Sequence, residues 1–359
     1  MASPVVRKRD IMPRNRIFTA WERQRNRSEV HWMAEMFAEM LGVFFYVYAG
    51  VSSTAGFVVG NIIQQPLSSL QQIGFAYAFG VLFAIGIAGA TSGGHFSPCI
   101  TIVHVLFNGF PRMKAVRYIV AQILGAYIAC ALIYNQWKEF IVVAEEALVT
   151  AKTFDALMYT PNGPAGIFGL YLPVGQTLGR AFLNEAAVVF FVGIITWACM
   201  DPSNYMVPPV MAQFFVSMAY GVAIWGFAVP GIALNTARDV GGRLFSMTIW
   251  GMPATGGKYA AIAALTNIIV TIFAVVVYEI FLADSDRVVP PASLDYFAWI
   301  KGHGRYTPPH TQHPRQRNDE EMDSDSSKDS EKPSVTTYEV APKMGYESHQ
   351  HGAIHSVPR

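Results

Sequence analysis

The chain of 359 residues is 52% hydrophobic and only 14% charged, with a formal net charge of +1 at pH 7. An ordinary soluble domain carries about 25% charged residues, so this composition excludes one, and the charges that remain are segregated to the two ends. Cys99, Cys130 and Cys199 all sit in apolar sequence and read as buried reduced thiols, with no disulfide framework implied.

Residues 1–31 are polar and basic, with Arg7, Lys8, Arg9, Arg14, Arg16, Arg23, Arg25 and Arg27. No small-residue cleavage site follows a short apolar region there, so a signal peptide is not expected. Apolar runs of about 20 residues, long enough for a helix to cross a ~30 Å hydrocarbon core, follow at roughly 33–57, 70–91, 115–134, 181–200, 209–229 and 259–283. Between the second and third lies "SPCITIVHVLF" (Ser97–Phe107), and between the fifth and sixth "NTARDVGGRLFSMTIW" (Asn235–Trp250). Each is too short to span. The Lys/Arg bias orients the chain. The basic N-tail and the connection bearing Arg112, Lys114 and Arg117 are assigned to the cytoplasm, and loops 58–69 and 135–179 to the outside. The channel domain is then 32–283, with repeats at about 32–134 and 180–283. The tail 284–359 is charged, serine-rich and proline-rich, cannot bury a core, and reads as disordered and cytoplasmic. Its Ser324, Ser326 and Ser327 lie in an acidic run suited to an acid-directed kinase. Its histidines read as solvated residues, and no metal site is expected.

The chain repeats itself. "FAEMLGVFFYVYAG" places Glu39 in the first span as "FLNEAAVVFFVGI" places Glu185 in the fourth. Each is followed by another span and then a short polar-headed segment. Three spans per half is an odd number, so the halves have opposite orientations, and broken segments in matching positions point to a pathway at the bilayer midplane. Irregular backbone at membrane depth must be buried in protein or line a water-filled cavity. Gly93 and Gly94 permit a re-entrant turn. Ser97 is placed as an N-cap with Pro98 at the first helical position, and Asn235 caps the matching half-helix. Two half-helix N-termini meeting midway each contribute roughly half a positive charge, which repels cations and admits neutral molecules. The predicted fold is all-α, with six transmembrane helices and two re-entrant half-helices in an inverted repeat.

Over about residues 33–283 this arrangement resembles the major intrinsic proteins, the aquaporins and glycerol facilitators. The resemblance is carried by Glu39, Glu185, "SGGHFSP", "AQILGA" (Ala121–Ala126) and "NTARD" (Asn235–Asp239), in that order. It implies a homotetramer with one pore per subunit. The family usually has Asn-Pro-Ala in both loops, whereas this chain has Ser97-Pro98-Cys99 and Asn235-Thr236-Ala237. Serine is shorter than asparagine and reaches less far into a pore, and Thr236 loses the fixed φ of proline. Divergent first motifs resemble the X intrinsic proteins of fungi and plants. Those carry cysteine after the second-loop arginine, where this chain has Asp239.

The resemblance also implies a four-residue selectivity filter. Gapless counting from the loop caps gives Tyr77, Ala223, Ile232 and Arg238. Arg238 would offer fixed donors to a solute and a barrier to cations. Phe75 and Phe79 are rivals to Tyr77. Ala223 stands where water-selective members carry histidine, and it also reads as a small residue for helix packing. Asp239, Arg243 and the long outer loop resemble those of glycerol facilitators. His95 is either a pH-sensitive pore group or, the preferred reading, a loop anchor bonded to backbone carbonyls. By the family's pattern Glu39, Glu185 and Gln122 support the re-entrant loops, whose donors have no water.

No catalytic set, nucleotide motif or metal motif is placed on suitable elements. The expected function is therefore a passive channel, without cofactor or nucleic-acid partner, for small neutral solutes. Glycerol and water lead, with urea, hydrogen peroxide and boric acid as further candidates. The expected location is the plasma membrane. Two alternatives are a coupled secondary transporter, which also uses broken helices, and a non-conducting structural or adhesion member of the same fold.

Overall fold

The structure, a computed structural model, describes residues 8–294. The tail serines Ser324, Ser326 and Ser327 lie outside the described residues, as does the tail from 295 onward. A basic helix, α1 (Arg16–Arg25), precedes the membrane region. Then come α2 (His31–Ile62), α3 (Leu70–Ser92), the short α4 (Pro98–Phe107) and α5 (Arg112–Thr150). The second half repeats the order with α6 (Leu178–Met200), α7 (Pro209–Phe227), the short α8 (Thr236–Trp250) and α9 (Tyr259–Phe281). Six of these helices are long and apolar enough to cross a membrane.

Their burial is inverted relative to a soluble bundle. On α3 the large residues Phe75, Phe79, Phe83 and Ile87 form an exposed i, i+4 stripe, while Gly74, Ala78, Ala84 and Ala88 are buried. Small residues at a helix contact let backbones approach closely, the main source of packing where lipid is as apolar as the side chains. Gly80 lies against the backbone of Tyr46 on α2, and Gly74 faces Trp225 on α7. Each half-helix packs partly across the repeat boundary, α4 against α9 and α8 against α5.

Local chemistry sets the ends. The Ser69 hydroxyl accepts from the Gln72 N–H to start α3, and Thr177 does the same for the Arg180 N–H at α6. Gly93 (φ +95°) and Gly94 (φ +71°) take the left-handed conformations that turn the chain from α3 into the loop before α4.

One boundary differs from expectation. The third span does not stop near 134 but continues as helix to Thr150, so the outer connection runs over 151–177. The extra turns are amphipathic. Ile141, Ala144 and Leu148 recur at helical spacing and are buried. Trp250 fastens the extension by donating to Glu145 at 3.0 Å.

Candidate functional site

The two half-helices meet head to head, and their caps are unequal. The Asn235 Oδ1 accepts from the Ala237 and Arg238 N–H groups at 2.9 and 3.4 Å, and its Nδ2 donates to the Phe96 carbonyl at 3.0 Å. Ser97 occupies the matching cap position in extended backbone, but its hydroxyl makes no cap bond. That corrects the expected side-chain cap. The Ser97 carbonyl is still engaged, by the Thr101 N–H and the Thr101 hydroxyl, both at 3.0 Å. Pro98 removes one N–H that would otherwise need a partner. Ser97 borders the cavity, and its side chain also bonds the Cys99 thiol. Pro98, Cys99, Thr236 and Ala237 are buried behind it, and the Cys99 Sγ lies 3.5 Å from the Thr236 Oγ1. Cys130 and Cys199 are likewise buried free thiols.

The loops in front of the half-helices hang on buried carboxylates. Glu39 accepts from the His95 N–H (3.0 Å), the Phe96 N–H (2.8 Å), the Ser92 hydroxyl (2.6 Å) and the Gln122 amide (2.7 Å). Glu185 accepts from the Ala233 and Leu234 N–H groups at 2.6 and 2.8 Å. A buried backbone donor without a partner costs about 1–3 kcal/mol, so these glutamates hold both loops in place. Gln122 also donates to the Thr101 hydroxyl at 3.1 Å. Among the described residues His95 bonds no carbonyl through its ring, unlike the expected loop anchor. Its Nδ1 pairs with the Thr101 hydroxyl at 3.1 Å, and its ring stacks on His104 with centroids 4.5 Å apart.

Arg238 lies one turn into α8 and is 5% exposed. Its Nε donates to the Tyr77 hydroxyl at 3.1 Å, and its terminal nitrogens donate to the Phe168 and Ile167 carbonyls at 2.6 and 3.5 Å. Phe75 and Phe79 turn away and stack on each other at the exposed face. Tyr77, Ile232 and Arg238 together line one wall-to-wall cavity of ≈ 1280 Å³ that runs from Pro173 and Gln176 at one mouth to Pro111 and Pro202 at the other. Ala223 is not on it. That residue has no exposed surface and packs inside the bundle, whereas Val216, Tyr220 and Ile224 of α7 face the cavity. The reason is helical phase: a residue one position from Ile224 is turned by about 100°.

Beside Arg238, Asp239 is ion-paired with Arg243, which also donates to the Thr255 and Leu170 carbonyls, both at 2.9 Å. This ties the outer loop to α8. At the opposite end Asp201 caps α6 and accepts from the Ser203 N–H and hydroxyl and from Tyr278. Burial would raise the Asp201 carboxyl, but these donors and Arg287 outweigh it and hold it below the usual carboxylate range. Sequence reasoning missed Tyr46, Tyr220, Ile224 and the carbonyls of Ile167 and Phe168. For the carbonyls no signal exists, since any residue supplies one. For α7 the signal was an i, i+4 row of larger residues.

The family model of the major intrinsic proteins matches residues 26–280. The chain is 59% identical over 307 residues to "Aquaporin-3" of Laccaria bicolor, covering 85% of this chain and 93% of that protein. It is 32% identical over 221 residues to "Aquaglyceroporin-2" of Rhizophagus irregularis, covering 60% and 65% of the two chains. Among solved structures, the aquaglyceroporin from Plasmodium falciparum superposes with a TM-score of 0.60 at 20% identity, covering 70% of this chain and 97% of that one, a likeness of fold.

Proposed function

This chain belongs to the major intrinsic protein family, and from that membership we propose that Tyr77, Ile232 and Arg238 form the selectivity constriction of a channel for glycerol and water. The protein is a multi-pass membrane channel for small neutral solutes and not an enzyme. The observation that carries the constriction is the fixed guanidinium of Arg238. Two loop carbonyls and Tyr77 hold it at the cavity wall, so it presents charge and donors without reorganising.

A solute that sheds water beside Arg238 regains hydrogen bonds there. Its carbon side meets Ile232 and Ile224, so a polyol is served on both edges and water on one. Deeper in, the N-termini of α4 and α8 supply the positive potential that excludes cations. Urea, hydrogen peroxide and boric acid share the size and neutrality of glycerol and are further candidate solutes.

The buried carboxylates favour a passive pore over a coupled transporter. Glu39 and Glu185 are engaged by loop donors, and Asp239 is paired with Arg243. We assign the assembly as a homotetramer in the plasma membrane with both termini cytoplasmic, on the family pattern and the basic residues of 1–31. The channel domain is taken as 32–283. Ser324 and Ser326, outside the described residues, are proposed kinase targets on their acidic context. Stopped-flow light scattering on liposomes tests the solute assignment. Glycerol flux above that of empty liposomes and linear in its gradient is expected, and water flux with no glycerol flux would overturn it.

A further inference from the structure

Replacing the family's first-loop asparagine by Ser97 removes a long amide from the midplane, and hydrogen-bond accounting shows which groups remain there. The Asn235 amide is engaged with Phe96. The Tyr46 hydroxyl donates to the same Phe96 carbonyl at 3.3 Å. The Tyr77 hydroxyl is held by Arg238. Tyr220 differs from all of these. It lines the main cavity on α7 between Val216 and Ile224. It also lines, together with Ser97 and Cys99, a small gap beside the first half-helix. Among the described residues no protein group bonds its hydroxyl, yet that oxygen is not one of the sealed, partnerless atoms, so it opens on the cavity.

We propose that Tyr220 is a specificity-determining residue of this channel: its hydroxyl supplies, from the α7 wall, the midplane hydrogen-bonding group that the short Ser97 no longer extends from the loop. Two features make the exchange physically consistent. The first is volume. A tyrosine ring fills space that a serine in place of an asparagine leaves open, so the lumen does not simply widen at the half-helix junction. The second is chemistry. A phenol both donates and accepts, so it can pass a polyol hydroxyl on to Ser97 while its ring faces the carbon edge. The bare aliphatic residues above and below, Val216 and Ile224, can do only the latter.

This inference rests on the channel reading, and the test separates the two. Wild type, Tyr220→Phe, Ser97→Asn and the Tyr220→Phe/Ser97→Asn double variant are reconstituted in one lipid and compared by stopped flow for glycerol and water. Removing only the hydroxyl keeps the ring and the packing, so Tyr220→Phe should match wild type in thermal melting and oligomer size. Its glycerol permeability should fall by about three- to tenfold, the effect of one hydrogen bond, with a smaller change for water. Restoring an amide at the loop should return glycerol permeability in the double variant to within about twofold of wild type, a rescue that a packing role for the hydroxyl would not produce. Tyr220→Phe with wild-type glycerol flux overturns the proposal, as does a folded double variant that stays as slow as the single one. Wild type that passes water alone defeats the glycerol assignment, and the same mutant ratios then read the role of Tyr220 in water. Wild type that passes neither overturns both.

Discussion

Cys99 and Thr236 touch across the junction of the two half-helices, 137 positions apart in sequence, with Sγ and Oγ1 separated by 3.5 Å. Cys99 stands in place of the alanine of the first Asn-Pro-Ala and Thr236 in place of the proline of the second, so two of the three departures form one contact. The Thr236 hydroxyl already donates to the Ala264 carbonyl at 2.8 Å. Its single hydrogen is therefore occupied, and the thiol is the donor of the pair. A double-mutant cycle with Cys99→Ala and Thr236→Val should show a coupling of about 0.5 kcal/mol or more in thermal stability. Additive losses in the melting temperature would mean that the contact carries no energy.

Arg238 should control ion exclusion rather than assembly. Arg238→Val leaves the Phe168 carbonyl and the Tyr77 hydroxyl facing a lumen that contains water, so their loss of partner is partly made up. The expected variant keeps its oligomer and gains proton or cation leak, measured by a pH-sensitive dye in the liposome interior. An unchanged leak in a folded variant would remove Arg238 from the barrier.

The two repeat glutamates predict unequal damage. Glu39 holds two backbone N–H groups and two side-chain donors, whereas Glu185 holds two backbone N–H groups and the Asn267 side chain. Glu39→Ala strands two backbone N–H groups, a hydroxyl and an amide, each costing about 1–3 kcal/mol if buried and unpaired. That variant should fail to give a stable oligomer in detergent, while Glu185→Ala should melt early but remain recoverable. Equal behaviour by size-exclusion and melting would show that water enters the first loop and replaces the carboxylate.

The parts legible in the sequence were those where physics penalises the alternative. A glutamate, an asparagine or an arginine inside an apolar run must be held by something, so Glu39, Asn235 and Arg238 mark the loops and half-helices in the sequence itself. The membrane spans followed from length and hydropathy. The end of α5 was less visible, because Lys138, Glu139, Glu145 and Glu146 dilute a face whose apolar members Ile141, Ala144 and Leu148 sit at helical spacing. The Ser97 cap was expected from propensity alone, and a hydroxyl rotor has the lumen and the Cys99 thiol as competing partners. Placing Ala223 in the wall depended on counting without gaps, and one position on a helix is enough to turn a side chain out of a pore.

The facing of α7 gives the most direct test of the constriction. Ala223 has no exposed surface, and Ile224 and Tyr220 take the lumen side. Introducing histidine at 223 would force an imidazole into a packed interior, at about 1–3 kcal/mol of overpacking, so Ala223→His should lower the melting temperature and the yield of folded oligomer. At 224 the side chain borders the solute path. Ile224→Ala shortens it by three carbons and opens space beside Ile232, so glycerol permeability should rise severalfold while water rises less, because the larger solute is the one limited by width. Ile224→Phe should do the reverse, cutting glycerol more than water. Ile224 also packs within the bundle, so the alanine variant carries a stability loss of up to about 2 kcal/mol, which melting in the same detergent measures separately from flux. Should Ala223→His fold normally and block glycerol while both Ile224 variants conduct as wild type, the lumen face of α7 is turned by one residue from the arrangement described here, and the constriction is Tyr77, Ala223, Ile232 and Arg238 after all.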